Sequence, residues 1–268
     1  MRRWVVFALL CVVQSFSWIL LLHSGAGITA ASCAVGACIA AVGMMWFAGA
    51  STLNVLGGVC LIVGPWLQLV LGNTMPGSSA VVLALTLVPV VVAVAEPALG
   101  DREFSPMRLW PGLAAATGLM IIAPLPSFSD WRADAVLVLI PIAVGIGVVL
   151  TTQRPGLQKD RAAILGVSAG VFAVISITAA FLWRQHIFIS WIAVGVCAVT
   201  FALVLLAVRS LSSAQYASQY AIVPLLALLQ GPIVISFSVI SWRFAFSVAL
   251  LLAASVALLR GDAEEKLA

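Results

Sequence analysis

The chain has 268 residues, of which 63% are hydrophobic and 8% charged, with a mean hydropathy of +1.21. A soluble domain carries about 25% charged residues, so the composition predicts a protein solvated by lipid, and long continuous apolar runs predict helices rather than the alternating strands of a barrel. The net charge of +4 comes without a basic, aromatic-interleaved patch, which excludes nucleic acid as a partner.

Gly, Pro, Asn and the few charges divide the chain into ten apolar runs. The first, Trp4–Leu22, is longer than the apolar core of a signal peptide and reads as a spanning helix. It carries Gln14, Ser15, Ser17 and Trp18. The second and third runs, Thr29–Ala48 and Val55–Leu71, contribute Trp66 and Gln68. An amide and an indole bind a neutral or zwitterionic solute at a lower desolvation cost than a charge; the alternative is that they join helices to one another.

The fourth run, Ser78–Leu99, has Pro89 in its middle and Glu96 near its end, the one acidic residue clearly inside a run. Pro89 removes a backbone hydrogen bond and so kinks the helix. Glu96 offers a proton or cation site, or else a carboxylate that pairs with Arg102 at the interface. The fifth to eighth runs are Met107–Ala123, Ala133–Thr151, Ala162–Trp183 and Phe188–Val208. Gly166-x-x-x-Gly170 in the seventh fits the small-xxx-small pattern and leaves a homodimer or a hetero-partner open.

The ninth run, Ser213–Ser236, is the richest in polar groups. Gln215, Ser218, Gln219 and Ile222 recur at helical spacing, the chain's two tyrosines, Tyr216 and Tyr220, are four positions apart, and Pro224 stands in mid-run. These residues read either as a substrate-contact surface or as an aromatic anchor with polar helix-joining groups. The tenth run is Phe244–Leu259, followed by a polar tail, 261–268.

All five cysteines lie in apolar runs without metal-ligand spacing, so no metal site or disulfide framework is expected. No catalytic set of paired acids, histidines or nucleophile and base is present in the runs, nor a phosphate-binding Gly-rich loop. The expectation is a non-enzyme without a cofactor. If ten helices alternate from a cytoplasmic N-terminus, Lys and Arg divide ten inside to three outside, with both termini cytoplasmic.

Ser78–Pro97 and Ser213–Pro232 align without gaps, matching Ser78 with Ser213, Pro89 with Pro224 and Pro97 with Pro232. The polar segment PLPSFSDWRAD divides the chain into halves of five runs, and an odd number makes the second half insert upside down. The expected fold is therefore an all-α polytopic membrane protein of ten transmembrane helices in two inverted five-helix repeats, 1–126 and 127–260.

The stretch SSAVVLALTLVPVVVAVAEPALGDREFSPMRLWPGLAAATGLMII and the later AVRSLSSAQYASQYAIVPLLALL resemble the EamA-like permeases of the drug/metabolite transporter superfamily. Asp101 stands about where that family has a glutamate after glycine, whereas Ile235 and Ser236 replace the expected second Gly-Glu pair. The resemblance implies a central cavity and export or exchange of metabolites. The expected function is a secondary transporter for a small neutral, zwitterionic or amphipathic solute, with the lipid bilayer as its surroundings in a bacterial cytoplasmic membrane. The alternative is a non-transporting membrane subunit or a lipid-handling protein. The expected cavity residues are Gln14, Trp18, Trp66, Gln68, Pro89, Gln215, Gln219, Tyr220 and Pro224.

Overall fold

In the computed structural model the described residues are 2–23, 78–99, 104–122, 131–152, 191–235 and 241–264, with the single positions 35, 39, 58, 60 and 61. They form α1 (Arg2–His23), α2 (Ser78–Thr86), α3 (Val88–Leu99), a 3-10 turn (Pro106–Arg108), α4 (Trp110–Ile122), α5 (Trp131–Thr152), α6 (Trp191–Ser210), α7 (Ser213–Ala217), α8 (Gln219–Ile235) and α9 (Trp242–Glu264). The second, third and seventh apolar runs lie almost wholly outside the described residues.

Local chemistry accounts for the breaks. Pro89 has no N–H to give the Leu85 carbonyl, so α2 stops and α3 restarts around Leu87. There the bonding tightens, Leu87 N–H donating to the Ala84 carbonyl at 3.0 Å, and the Thr86 hydroxyl donates to the Leu83 carbonyl at 2.6 Å. The start of α7 is a capping box: the Ser212 hydroxyl accepts from Gln215 N–H at 3.3 Å, and the Gln215 side-chain oxygen accepts from Ser212 N–H at 3.4 Å. A turn at Ser218 separates α7 from α8.

These helices are apolar on both sides. In α5, Ile140, Val144 and Val148 recur every four residues and are fully buried, while Val138, Leu139 and Ile142 on the other side are exposed. α1 buries Phe7, Leu10 and Cys11 and exposes Val5, Leu9, Val12 and Phe16; α9 buries Leu251, Ala254 and Leu258 and exposes Phe246, Leu252 and Val256. Burial follows the 3.6-residue period, but polarity does not.

α1 packs on α6 and α8, α5 on α2 and α3, and α4 on α9. One cluster joins Phe7, Leu10, Val88, Val92, Val144, Val148, Ala207 and Tyr216; the other joins Leu83, Ala115, Leu119, Ala221, Leu225, Leu251 and Ala254. Missing side chains let two crossings close. A Cβ at Gly145 would stand 2.5 Å from Val91 Cγ1 on α3, and one at Gly112 2.6 Å from Val90 Cγ2. The buried Ser247 hydroxyl ties α9 to α4 by donating to the Gly118 carbonyl at 2.5 Å.

Ten transmembrane helices in two inverted repeats is not the architecture found. Among the described residues there are nine α-helices, and one stretch, Trp242–Arg260 of α9, is both long and apolar enough to cross a membrane. Hydropathy counts an apolar run as a single rod, but the backbone cuts two of those runs at Leu87 and Ser218. α4, with 13 residues, is about 20 Å long against a hydrocarbon core of about 30 Å. The break lies two residues before Pro89 but six before Pro224, so the register suggested by the paired prolines does not carry over to the backbone. The ten-to-three division of Lys and Arg presumed ten crossings and falls with them. So does the reading of a ten-span EamA-like efflux permease.

Candidate functional site

The densest group of buried polar side chains lies at the α7–α8 break. Tyr216, Ser218, Gln219 and Tyr220 are all enclosed, with Ser218 and Gln219 at 0% exposure. The two tyrosine rings meet edge to face, 6.5 Å between centroids at 68°. Ser218 donates its hydroxyl proton to the Gln215 carbonyl at 2.7 Å, and the Gln215 side chain closes the cap of α7. Both phenols lie close to the Gln219 side chain. The amide is enclosed with the two phenol hydroxyls as its polar neighbours.

Glu96 is the second focus. It sits near the C-terminal end of α3, 1% exposed. Arg108, in the 3-10 turn, donates from Nη1 to Glu96 Oε2 at 3.3 Å, and the buried Ser213 hydroxyl donates to Oε1. One carboxylate therefore ties the end of α3 to the turn after it and to the start of α7. The expected partner Arg102 lies outside the described residues, and Arg108 takes that place. With a guanidinium already against it, Glu96 acts as an internal link and does not present an unneutralised charge to a cation.

The third focus joins α1 to α8. Gln230 Nε2 donates to the Ser15 hydroxyl at 3.2 Å, and that hydroxyl donates to the Val12 carbonyl at 2.8 Å. The Gln230 side-chain oxygen is buried without a partner. Gln14, beside Ser15 on α1, is half-buried and has a partner of its own. Trp18 belongs to α1 by its backbone; Trp66 and Gln68 lie outside the described residues. Pro89 is buried at the second position of α3, and Pro224 is buried within α8, where it leaves the Tyr220 carbonyl without its helical donor.

The structure thus brings Gln215, Gln219 and Tyr220 together at the break and places Glu96 against the start of the same element. Sequence reasoning missed Arg108 and Ser213 as partners of Glu96, and Gln230 altogether. An amide inside the otherwise apolar LLALLQGP was a signal for Gln230, and the S-x-x-Q spacing of Ser212 and Gln215 signalled the cap. Among the described residues no group of three or more His, Cys, Asp or Glu could hold a metal ion.

No family model matches the chain, and no curated protein matches it. Among solved structures, one described only as "Crystal structure of protein" is similar, with a TM-score of 0.73 and 15% identity over 98% of each chain. At that identity the likeness concerns the fold alone.

Proposed function

We propose that this chain is a membrane-embedded carrier that takes up a small neutral or zwitterionic solute at the α7–α8 break. The observation that carries the reading is the enclosed cluster of Tyr216, Gln219 and Tyr220 inside a molecule whose outer face is apolar. Only 28% of the Trp242–Arg260 window is buried, whereas the central helix of a soluble core is mostly enclosed. Exposed tryptophans stand at helix starts, Trp4, Trp110, Trp191 and Trp242, as side chains do that anchor at a membrane–water boundary. Arg3 and Arg243 lie 5.6 Å and 5.8 Å from the Trp4 and Trp242 ring centroids, so each pairs a cation with a ring.

A carrier needs a polar group that costs little to desolvate and a backbone able to bend beside it. Gln219 supplies the first, and the Ser218 turn with Pro224 supplies the second. Counterflow into vesicles of phosphatidylethanolamine and phosphatidylglycerol, run with a panel of neutral and zwitterionic metabolites, tests the reading. Accumulation of at least one solute, lost in Tyr220→Ala, supports it. Redistribution of labelled lipid without solute flux would establish the lipid-handling alternative, and neither activity would reject both.

A further inference from the structure

We propose that α7 is a strap, set between bends at Leu211 and Ser218 and latched by Glu96, that covers the tyrosine pair and can leave it as a unit while the rest of the bundle stays packed. Its release would uncover the place where the carrier reading puts the solute, but the strap stands or falls apart from translocation.

Hydrogen bonding makes 212–218 a self-contained piece. The capping box joins Ser212 to Gln215 in both directions. Tyr216 N–H donates to the Ser212 carbonyl at 2.8 Å, Ser218 N–H to the Ala214 carbonyl at 3.0 Å, and the Ser218 hydroxyl to the Gln215 carbonyl at 2.7 Å. All of these bonds survive a rigid movement of the segment, so displacing it costs packing and not these bonds. The bond that does not survive is the one from the Ser213 hydroxyl to Glu96 Oε1. It is buried and charge-assisted, and Arg108 pins its acceptor at the other carboxylate oxygen. A buried ion pair adds little net stability over an apolar substitute, and its best-attested use is to hold one arrangement against another.

The latch joins pieces of two interrupted runs. α3 restarts after the Leu87 turn and carries Glu96 one turn before its end, and α7 ends at Ser218. Close to each break a proline withholds a helical donor, Pro89 from the Leu85 carbonyl and Pro224 from that of Tyr220, so both runs can change direction there at little cost in backbone bonding. Tyr216 meets Tyr220 edge to face and shares a cluster with Cys11, which is 2% exposed. Movement of α7 therefore uncovers a native thiol as well as the rings.

Hydrogen–deuterium exchange of the purified full-length chain in detergent tests the strap, together with alkylation of native Cys11 by N-ethylmaleimide mapped by mass spectrometry. In the wild type, amides 216–218 should exchange at least about tenfold faster than Val144 and Val148, although burial alone predicts equal rates. Ser213→Ala should speed 212–218 by about tenfold or more, through loss of one bond to a charged group, and should raise Cys11 alkylation while α5 and α9 stay as they are. Glu96→Gln, which keeps an oxygen for Ser213 but no charge, should fall between. Ser247→Ala removes a buried hydroxyl from the α4–α9 crossing and should leave 212–218 as in the wild type. Exchange of 216–218 as slow as that of Val144 and Val148 overturns the proposal. So does a Ser213→Ala variant that leaves 212–218 and Cys11 unchanged, or one that speeds every helix equally, which would mean that the bond supports the whole fold. Should Ser213→Ala fail to fold, the wild-type comparison and Glu96→Gln decide. Absence of counterflow with these responses intact removes the carrier reading and keeps the strap, whereas flux with 212–218 exchanging no faster than α5 removes the strap alone.

Discussion

A polar residue in an apolar run announces itself in the sequence, but its partner does not. Glu96 stood out as the one acidic residue clearly inside an apolar run, yet the groups that hold it come from a 3-10 turn 12 positions on and from a helix start 117 positions on. Gln215 and Gln219 looked alike by spacing; one closes a cap and the other lies against the two tyrosine hydroxyls. Only the fold decides such assignments, because each depends on which backbone arrives opposite. The Glu96 node makes a quantitative test. Removing one member of a buried ion pair leaves the other uncompensated. Arg108→Met should therefore destabilise the chain by about 2–3 kcal/mol, somewhat below the fully buried case because Arg108 is 29% exposed. Glu96→Gln keeps an acceptor for Ser213 and should cost less. The double variant should be more stable than the sum of the two single losses predicts, since the charges disappear together. Thermal unfolding in detergent across the four proteins reads this directly, and simple additivity would mean the pair is not coupled.

At the scale of elements, the helical runs were largely legible and their interruptions were not. Apolar runs placed at Ala133–Thr151 and Phe188–Val208 are helices at Trp131–Thr152 and Trp191–Ser210, the first continuing through Pro141, because a long apolar run has few other ways to bond its backbone. Pro89 was read as a kink and is a full break; the Ser218 break has no proline within reach before it and escaped the reading. The cap at Ser212 was missed although its spacing is explicit. Ser212→Ala should cost about 1 kcal/mol, measured by unfolding, through loss of the acceptor for Gln215 N–H. Glycines give an opposed pair. Gly145→Ala would drive a Cβ to 2.5 Å from Val91 Cγ1 and should destabilise by about 1–3 kcal/mol. Gly195→Ala, on α6, meets nothing within 4 Å and should stabilise by about 0.5–1 kcal/mol by restricting the unfolded chain. Equal effects at the two sites would mean that the α3–α5 crossing is looser than the structure has it.

For the whole molecule, composition revealed the excess of apolar surface but not how it is distributed. Reading every apolar run as a crossing gave ten, whereas the described helices include one stretch that meets the length and hydropathy requirement. The distribution itself separates two environments. Val138 at 60% exposure and Leu252 at 53% each lie on the outer face of a helix whose opposite face is enclosed. If water covers those faces, Val138→Lys and Leu252→Lys place a charge where it is solvated, and each should change stability by no more than about 0.5 kcal/mol. If lipid covers them, an ammonium must be carried into hydrocarbon or must snorkel out of it, and the loss should approach about 2.5–3.5 kcal/mol near the bilayer centre. The membrane-embedded reading predicts the larger loss for Leu252→Lys, since α9 carries the stretch able to span. Leu251→Lys, at 0% exposure, sets the scale, because a buried unpaired charge is severe in either environment. Unfolding in lipid–detergent bicelles resolves the two: a Leu252→Lys variant as stable as the wild type would place the outer face of α9 in water and end the case for a carrier.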